Sequence, residues 1–445
     1  MNKIKAALER ARDTKALIIG NGVVCRTAEM FNELFPGQKA IIVADENTWK
    51  VAGADAQKSL DEAGIISYPA FIFPSEDFYA EWKHVETLKA HLEQLDATAI
   101  AVGSGVINDT VKYVSYLLSR KYMCVGTAAS MDGFTAYGSS ITKDGNKQTF
   151  DCPAPFGFVL DSGIAAEAPK ELAASGYADL IAKIPAAADW MIADAVGSES
   201  IDPFAFSLVQ KNLRDALSDP DAVAAGDVTA VGKLAYELIM SGFAMQSILS
   251  SRPASGAEHL FSHYWDMEGL CHNGRHVPHG FSVAIGTLVS VACMEYLLNK
   301  DYTKIDIDAA VAKWPEWDDM EKHIREVFEG MPDHLARGLM ESKSKYVGRD
   351  IIRKQLMAVR DNWPELSGKI RDQILPFNVV RDCLKRAGAP YEPEMIGVSR
   401  EKIRKTFRAI PFMRDRFTGI DLIYRAGLMD EVEAYLFGKG GIYEC

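Results

Sequence analysis

Short apolar segments alternate with amphipathic helical segments over the first third of the chain. Five apolar segments have the length and composition of strands, at 16–20, 39–44, 99–102, 122–125 and 156–160. Helical patterns lie between them, most clearly at 76–95 and 108–120. Because parallel strands need a crossover connection, this alternation predicts a parallel sheet with helices on both faces. The N-terminal part of the chain is therefore predicted to be α/β.

After residue 161 the strand pattern stops, and the pattern is helical almost to the C-terminus. The longest helical segments are predicted at 176–196, 223–249, 257–270 and 280–298. A chain of 445 residues is too long for one hydrophobic core of ordinary size. We therefore predict two domains, an α/β domain over residues 1–162 and an all-α domain over residues 163–445.

The charge and composition exclude several classes of partner. A formal net charge of -12, with no long Lys/Arg cluster, argues against nucleic acid and against an anionic membrane surface. The most apolar stretch, 280–298, contains Glu295 and follows His279, so we predict a buried core helix and no membrane insertion. The N-terminal residues mix both charges and have no apolar core, so no signal peptide is expected. Seven dispersed cysteines fit a reducing compartment, and the predicted location is the cytoplasm.

Histidine is concentrated in one window of the helical part. Five of the nine histidines lie there: His259, His263, His272, His276 and His279. His259 and His263 are one helical turn apart, so both imidazoles would project from one helix face. Two imidazoles and one carboxylate would make a three-ligand metal site with an open position. From the residues alone, a set of surface or capping histidines is the alternative.

A turn that contains two glycines follows the third predicted strand. Gly103-Ser104-Gly105 leads into a helical pattern, where free backbone N–H groups and the helix dipole favour a pyrophosphate. An ordinary tight turn is the alternative. Asp45 ends an earlier strand, where it could accept hydrogen bonds from an adenosine ribose or cap the next helix. Together these features suggest Rossmann-like nucleotide binding.

Two further aspartates stand in unusual surroundings. Asp132 follows Thr127 and Ser130 in a run of small residues that would let the backbone approach a flat ligand, although a polar turn is the alternative. Asp179 lies in an apolar helical pattern, where a carboxylate is costly unless it is paired or bound to a metal. Lys183, one turn later, offers a competing salt bridge.

Taken in order, these segments resemble the sn-glycerol-1-phosphate dehydrogenases, a family within the group of iron- or zinc-dependent glycerol dehydrogenases and 3-dehydroquinate synthase. The resemblance covers the chain from about Ala16 to His279 and extends more loosely beyond. It rests on Gly-x-Gly-x-x-x-Asp at 103–109, Thr-Ala-Ala-Ser-Met-Asp-Gly at 127–133, Asp-Leu-x-Ala-Lys at 179–183, Ser-Arg-Pro-Ala-Ser-Gly-Ala-Glu-His-x-x-Ser-His at 251–263 and His-Gly at 279–280. The chain departs from the family at Ser104, where glycine is usual, and at Ala136, where serine is common. The implied fold is dehydroquinate synthase-like, a Rossmann-like α/β domain followed by an all-α domain.

The resemblance implies a role for each candidate residue. The implied ligands of one divalent metal ion (Zn, Ni or Fe) are Asp179, His259 and His279. The implied contacts of NAD or NADP are Asp45, Gly103, Ser104, Gly105, Val106, Ile107, Thr127 and Ser130. The implied substrate-binding residues are Asp132, Asp179, Arg252 and His263, and of these His263 and Asp132 are the expected catalytic residues. Arg252 would hold a phosphate, as a similarly spaced arginine does in 3-dehydroquinate synthases, with a helix-entry salt bridge as the alternative.

The reaction implied by the resemblance is the metal-dependent interconversion of dihydroxyacetone phosphate and sn-glycerol 1-phosphate. The 1–162 domain would bind the nucleotide, and the 163–445 domain would bind the metal and the substrate. The partner would be a small phosphorylated triol or ketone, and the protein is expected to be a homo-oligomer. A glycerol or polyol dehydrogenase with an unphosphorylated substrate is the nearer alternative. A 3-dehydroquinate synthase-like cyclase is the farther one.

Overall fold

A computed structural model of the chain describes residues 3–76 and 78–445. Within these ranges the strands form one six-stranded sheet and two short hairpins. In chain order the strands are β1 Ala16–Gly20, β2 Ala40–Asp45, β3 Phe71–Phe73, β4 Thr98–Gly103, β5 Met123–Gly126, β6 Ser139–Lys143, β7 Asn146–Phe150, β8 Gly157–Asp161, β9 Cys271–His272 and β10 Arg275–His276.

The large sheet has the strand order β1-β8-β5-β4-β2-β3, and all neighbouring strands in it are parallel. Its inner strands β2, β4, β5 and β8 are buried along nearly their whole length. A strand covered on both faces needs apolar side chains in both directions, which explains the continuous run Ala-Ile-Ile-Val-Ala in β2. The carboxyl ends of β2, β4 and β5 lie side by side, at the edge where open α/β sheets bind their ligands.

The five predicted strands are all present, and their ends differ from the predictions by at most one residue. The sequence did not indicate β3, a three-residue edge strand that follows Pro69 and precedes Pro74. It did not indicate the β6–β7 hairpin either. The expectation that strands stop after residue 161 is wrong for the short hairpin β9–β10, whose two-residue strands leave no periodic pattern to detect.

Most of the remaining regular structure is helical. Before the last strand of the large sheet the helices are α1 Lys3–Arg10, α2 Thr27–Leu34, α3 Glu46–Thr48, α4 Ala54–Glu62, α5 Trp82–Leu92 and α6 Gly105–Leu117. After that strand they are α7 Ser162–Glu167, α8 Lys170–Ile181, α9 Lys183–Ala195, α10 Pro203–Gln210, α11 Leu213–Ala216, α12 Pro220–Ala225, α13 Val228–Ile248, α14 Ala257–Met267, α15 His279–Asn299, α16 Ile307–Lys313, α17 Trp317–Val327, α18 Pro332–Lys345, α19 Arg349–Gln373, α20 Phe377–Arg386, α21 Arg400–Ala409, α22 Gly419–Arg425 and α23 Met429–Phe437. The fold class is therefore the predicted one, an α/β part followed by a helical part.

By compactness the chain divides into two units. The first contains the chain up to Leu180, Ser207–Ser251 and Arg386–Ala389, and the second contains Ile181–Phe206, Arg252–Lys385 and Pro390–Cys445. The first unit includes α13 because side chains on that helix bind the N-terminal segment. Glu237 pairs with Lys3 at 2.7 Å, and Gln246 Nε2 donates to Thr14 Oγ1 at 2.9 Å. The sheet itself ends at Asp161, next to the proposed domain limit at residue 162.

The second unit contains the long apolar helix α15. It is the one helix there that is long and apolar enough to cross a membrane, and 83% of its most apolar window is buried. It packs against α14 at Gly286, where an added Cβ would lie 2.2 Å from the Glu258 carbonyl oxygen. Only glycine allows two helix backbones to approach this closely.

Candidate active site

The turn between β4 and α6 is where the sequence predicted a pyrophosphate site. Ser104 is the N-cap residue of α6, and its side chain makes no capping hydrogen bond. A Cβ on Gly103 would lie 2.6 Å from the Ile107 side chain, and a Cβ on Gly105 would lie 2.8 Å from Met131. The predicted cofactor residues of this segment, Gly103, Ser104, Gly105, Val106 and Ile107, all lie in this turn and the first turn of the helix. The turn therefore needs a glycine at position 103, whereas the flexible end of Met131 could move aside at position 105. It presents the N-terminus of a 13-residue helix to a ligand.

Asp45 is the last residue of β2 and the N-cap of α3. Its Oδ1 accepts hydrogen bonds from the N–H groups of Asn47 (2.8 Å) and Thr48 (2.9 Å). Thr48 Oγ1 in turn accepts from the Asp45 N–H at 3.0 Å, which completes a capping box. In this structure the Asp45 side chain caps α3 through Oδ1, as the helix-capping alternative expected. A ribose would therefore be bound through Oδ2.

The small-residue segment 127–133 begins beside the glycine turn. The Thr127 N–H donates to the Gly103 carbonyl oxygen at 3.1 Å. Both predicted cofactor residues of the segment, Thr127 and Ser130, are buried. Helix α8 lies directly against the segment, because a Cβ on Gly176 would be only 1.9 Å from the Ala129 carbonyl oxygen. The backbone of the segment is therefore fixed on two sides.

The two aspartates predicted to face the substrate and the metal are neighbours. The Asp132 N–H donates to Asp179 Oδ2 at 2.9 Å, and Ser241 Oγ donates to Asp132 Oδ2 at 2.9 Å. Asp179 is fully enclosed on α8, and Asp132 is 9% exposed. The hydrogen bond from Ser241 holds the Asp132 carboxylate in one orientation, as the positioning of a substrate hydroxyl would require.

Lys112 lies on α6, and the sequence analysis predicted no role for it. Its Nζ is buried and donates to the carbonyl oxygens of Gly133, Ala136 and Gly138, each at 3.0 Å. The cation therefore holds the loop that follows Asp132. The sequence feature that could have indicated this role is a lysine among the apolar residues of α6.

Three of the five clustered histidines come together at the start of α14 and α15. His259 lies in the first turn of α14, His263 lies one turn later, and His279 is the first residue of α15. The ring centroids are 5.4 Å apart for His259 and His279, 6.3 Å for His259 and His263, and 6.4 Å for His263 and His279. His272 and His276 lie on the β9–β10 hairpin and do not join this cluster.

Asp179, His259 and His279 form a group that could hold a metal ion. Each offers one ligand atom, and these atoms lie within 4.8 Å of one another. Asp179 and His259 are buried and His279 is partly exposed. Two imidazoles and one carboxylate form a donor set that suits zinc, iron, nickel or cobalt. These are the three ligands that the resemblance implied.

Two carboxylates behind His259 were not predicted. Glu258 Oε1 lies 2.9 Å from His259 Nδ1 and accepts from the Gly256 N–H at 2.5 Å. Asp189 accepts from the Ala257 N–H at 2.7 Å, and desolvation together with the nearby Glu258 charge raises its pKa to about 7. A histidine that donates from Nδ1 to a carboxylate can bind a metal through Nε2. The sequence feature that could have indicated this arrangement is Glu258 directly before the predicted ligand His259.

Arg252 has the surroundings of a structural cation. Its side chain is fully buried, and its Nε lies 3.2 Å from Glu199 Oε2. Desolvation lowers the pKa of Arg252, while the charges of Glu199, Asp189 and Glu258 raise it. This arrangement fits the salt-bridge alternative, and phosphate binding by Arg252 stays a prediction.

His263 is electrostatically unlike an ordinary surface histidine. Desolvation, followed by the positive charge of Arg414, lowers its pKa well below the usual value. His259, His279 and Arg337 act in the same direction. The imidazole is therefore neutral at neutral pH, where it can accept a proton or donate one hydrogen bond.

Comparison with known proteins gives consistent results. The profile of the family described as iron-containing alcohol dehydrogenase matches residues 18–169. A glycerol-1-phosphate dehydrogenase (NAD(P)+) of Pyrococcus furiosus is 31% identical over 291 residues, which are 65% of this chain and 80% of the relative. A protein of the same name from Bacillus licheniformis is 29% identical over 429 residues, 95% of this chain and 91% of the relative.

Solved structures share the fold at lower identity. The crystal structure of glycerol dehydrogenase from Schizosaccharomyces pombe superposes with a TM-score of 0.60 at 16% identity, covering 95% of this chain and 89% of that chain. At this identity the likeness establishes the architecture. The predicted fold class is thereby confirmed.

Proposed function

Because this chain belongs to the glycerol-1-phosphate dehydrogenase family, we propose that it interconverts dihydroxyacetone phosphate and sn-glycerol 1-phosphate with NAD or NADP and one divalent metal ion. The observation that carries the proposal is the group Asp179, His259 and His279, whose ligand atoms lie within 4.8 Å of one another. A histidine-rich group of this kind, with a neutral imidazole and a fixed carboxylate beside it, suits the reduction of a hydroxyketone.

Asp179, His259 and His279 would hold the metal ion, and the residues present fit it. Glu258, which lies 2.9 Å from His259 Nδ1, orients that ring in the way ligand histidines are usually oriented. A divalent ion bound there supplies Lewis acidity to a substrate oxygen, and the nicotinamide carries the hydride.

Two other side chains would handle the substrate. Asp132 is held by Ser241 Oγ at 2.9 Å, so its carboxylate can accept a hydrogen bond from a substrate hydroxyl in one defined direction. In the oxidation direction His263 would accept the proton of the C2 hydroxyl, because its lowered pKa keeps the ring neutral. In the reduction direction the protonated ring would return that proton to the C2 oxygen. Both groups are positioned before substrate arrives, which reduces the entropy cost of ordering them during the reaction.

The nucleotide would bind at the carboxyl edge of the sheet. The pyrophosphate would lie against the N–H groups of the turn at Gly103 and Gly105, and an added Cβ at Gly103 would clash with Ile107. Thr127 and Ser130 would contact the nicotinamide half, and Asp45 would contact the adenosine ribose. We keep residue 162 as the proposed limit between the nucleotide-binding part and the part that carries the metal ligands.

Turnover assays test the reaction. The metal-loaded protein is mixed with NADH or NADPH and dihydroxyacetone phosphate, and with NAD or NADP and each enantiomer of glycerol phosphate or glycerol. We expect oxidation of the reduced cofactor by dihydroxyacetone phosphate and reduction of the oxidised cofactor by sn-glycerol 1-phosphate. Turnover of glycerol alone would replace the proposal by the polyol dehydrogenase alternative, and net conversion without any change in the cofactor would replace it by a cyclase.

The ligand set is tested by metal analysis of variants. Asp179→Ala and His279→Ala should leave the purified protein without stoichiometric metal. His276→Ala, which removes an exposed imidazole from the β9–β10 hairpin, should retain it. Metal retained in both ligand variants would disprove the assignment. We further propose a homo-oligomer in the cytoplasm, which light scattering and cell fractionation can check.

A further inference from the structure

A phosphate group on the substrate needs cations whose hydrogen-bond donors are not already used by the protein. Arg252 is buried against Glu199. Arg416 is also buried, and its Nη1 donates to both the carbonyl oxygen and Oγ of Ser255 at 2.7 Å. Arg416 therefore has protein acceptors. The Arg252 cation lies within the negative charge of Glu199, Asp189 and Glu258, which opposes a further anion there. The phosphate therefore needs other cations.

Arg337 reaches the histidine cluster from α18. Helix α18 is anchored to α14 by a hydrogen bond of 3.0 Å between His334 Nε2 and the carbonyl oxygen of Tyr264. Tyr264 directly follows His263, and Arg337 lies one turn after His334 on the same helix face. The anchor therefore places the Arg337 side chain beside the end of α14 that carries His263.

Arg414 reaches the same place from another segment of the same unit. The Asp415 N–H donates to Glu341 Oε2 at 3.0 Å, and Glu341 lies one turn beyond Arg337 on α18. One helix thus positions both arginines. Their charges act on each other and on His263, where Arg414 is the largest charge effect.

The two guanidinium groups are incompletely paired. Arg337 Nε is enclosed and has no hydrogen-bond partner, and its nearest carboxylate, Glu341 Oε1, is 3.6 Å away. Arg414 is partly exposed, and its side chain makes no hydrogen bond or ion pair recorded for the described residues. Two neighbouring cations with spare donors beside a metal-ligand group form a site for a doubly charged anion.

We propose that Arg337 and Arg414 bind the phosphate monoester of the substrate while its carbon skeleton lies at the histidine cluster. The planar guanidinium offers paired N–H donors that match two phosphate oxygens, and two such groups complement the two negative charges. The assignment rests on the proposed function, since it names the residues that would separate a phosphorylated substrate from a free polyol. It moves the phosphate contact from Arg252 to a pair 85 and 162 positions further along the chain.

Steady-state kinetics on the metal-loaded full chain test this pair. Arg337→Met and Arg414→Ala should each raise KM for dihydroxyacetone phosphate by about tenfold to a hundredfold, the usual effect of losing hydrogen bonds between charged groups. The kcat/KM for unphosphorylated dihydroxyacetone, assayed at high substrate concentration, should stay unchanged. Lys343→Ala, which removes an exposed cation from the same helix, is the matched control and should change neither. Equal losses on both substrates would overturn the proposal.

Binding of inorganic phosphate separates this proposal from the proposed function. Calorimetry should detect phosphate binding to the metal-loaded protein, weakened about tenfold or more by Arg414→Ala and by Arg337→Met. If phosphate binds in this way but dihydroxyacetone phosphate is not turned over, the anion site stands and the proposed reaction fails. If turnover occurs and both variants bind phosphate as the unchanged protein does, the arginine pair is not the phosphate site.

Discussion

At the level of single residues, the site depends on groups whose chemistry is set by their neighbours. Ser241 donates a hydrogen bond to the Asp132 carboxylate, and Glu258 lies within hydrogen-bond distance of His259 Nδ1. Buried polar groups of this kind are satisfied by hydrogen bonds, and each bond also fixes a direction. Substitutions that keep volume but change charge are therefore the most informative ones here.

Glu258→Gln should weaken metal binding by about tenfold to a hundredfold, as loss of a charged partner behind a ligand histidine usually does. The amide keeps the size of the side chain but no longer stabilises the His259 N–H through a full charge. Competition with a fluorescent chelator measures the affinity. Glu268→Gln, at the end of the same helix and paired with Lys402 at 2.6 Å, is the control. Unchanged affinity in Glu258→Gln would show that the carboxylate has no such role.

Asp109 should make the stability of the protein depend on pH. Desolvation raises its pKa from 3.8 to about 6, so the folded chain binds this proton more tightly than the unfolded chain. Its contribution to stability is complete below about pH 4 and is lost as the pH rises through about 6. Asp109→Asn should remove this slope and stabilise the apoprotein at pH 8 by at most about 3 kcal/mol.

Urea denaturation at pH 4.5 to 8 measures the Asp109 effect. The matched change Asp96→Asn, at an exposed position, should leave the slope in place. A slope that persists in Asp109→Asn would mean that other groups cause it.

At the level of elements, close contacts between backbones bring the site together. Helix α8 carries Asp179 and is tied to the small-residue segment by a hydrogen bond of 3.1 Å from Ser175 Oγ to the Ser130 carbonyl oxygen. Helices α14 and α15 approach at Gly286. In both places a glycine permits an approach that no side chain would allow, so the identity of one residue sets the position of an entire helix.

Gly176→Ala should destabilise the protein by about 1–3 kcal/mol, the usual cost of overpacking a site that cannot relax. The new Cβ would lie 1.9 Å from the Ala129 carbonyl oxygen, so α8 must move away. Gly368→Ala on α19 is the control, since nothing lies within 4 Å of its Cβ. That change should stabilise the helix by up to about 1 kcal/mol. Urea midpoints distinguish the two, and equal midpoints would contradict the close approach of α8.

At the level of the whole molecule, ligand binding should be coupled to stability. A metal that binds the folded chain and not the unfolded chain adds about 2.7 kcal/mol when its free concentration is one hundred times Kd. Removing it with a chelator should therefore lower Tm by a few degrees, and returning zinc, nickel or iron should restore Tm. Asp179→Ala should have the lower Tm and show no response to the chelator. A chelator response retained in that variant would place the metal elsewhere.

The sequence alone determined the fold class and proposed most of the site residues. Parallel strands covered on both faces need continuous apolar runs, so β1, β2, β4, β5 and β8 were readable to within one residue. The motifs pointed to the proposed metal ligands because the neighbours of His259 and Asp179 distinguish them from other histidines and aspartates. Both signals depend only on residues that are neighbours in the sequence, so they can be recognised without knowing how distant segments pack.

Only the tertiary structure showed which hydrogen-bond and ion-pair partners surround those residues. Asp45 was equally a cap or a ribose ligand until its hydrogen bonds to Asn47 and Thr48 were seen. Arg252 was given the phosphate on spacing alone, yet burial against Glu199 uses its charge. Arg337 and Arg414 carry no motif, and their charges act on His263 from segments far along the chain. Burial and charge pairing depend on contacts between distant segments, and no window of sequence contains them.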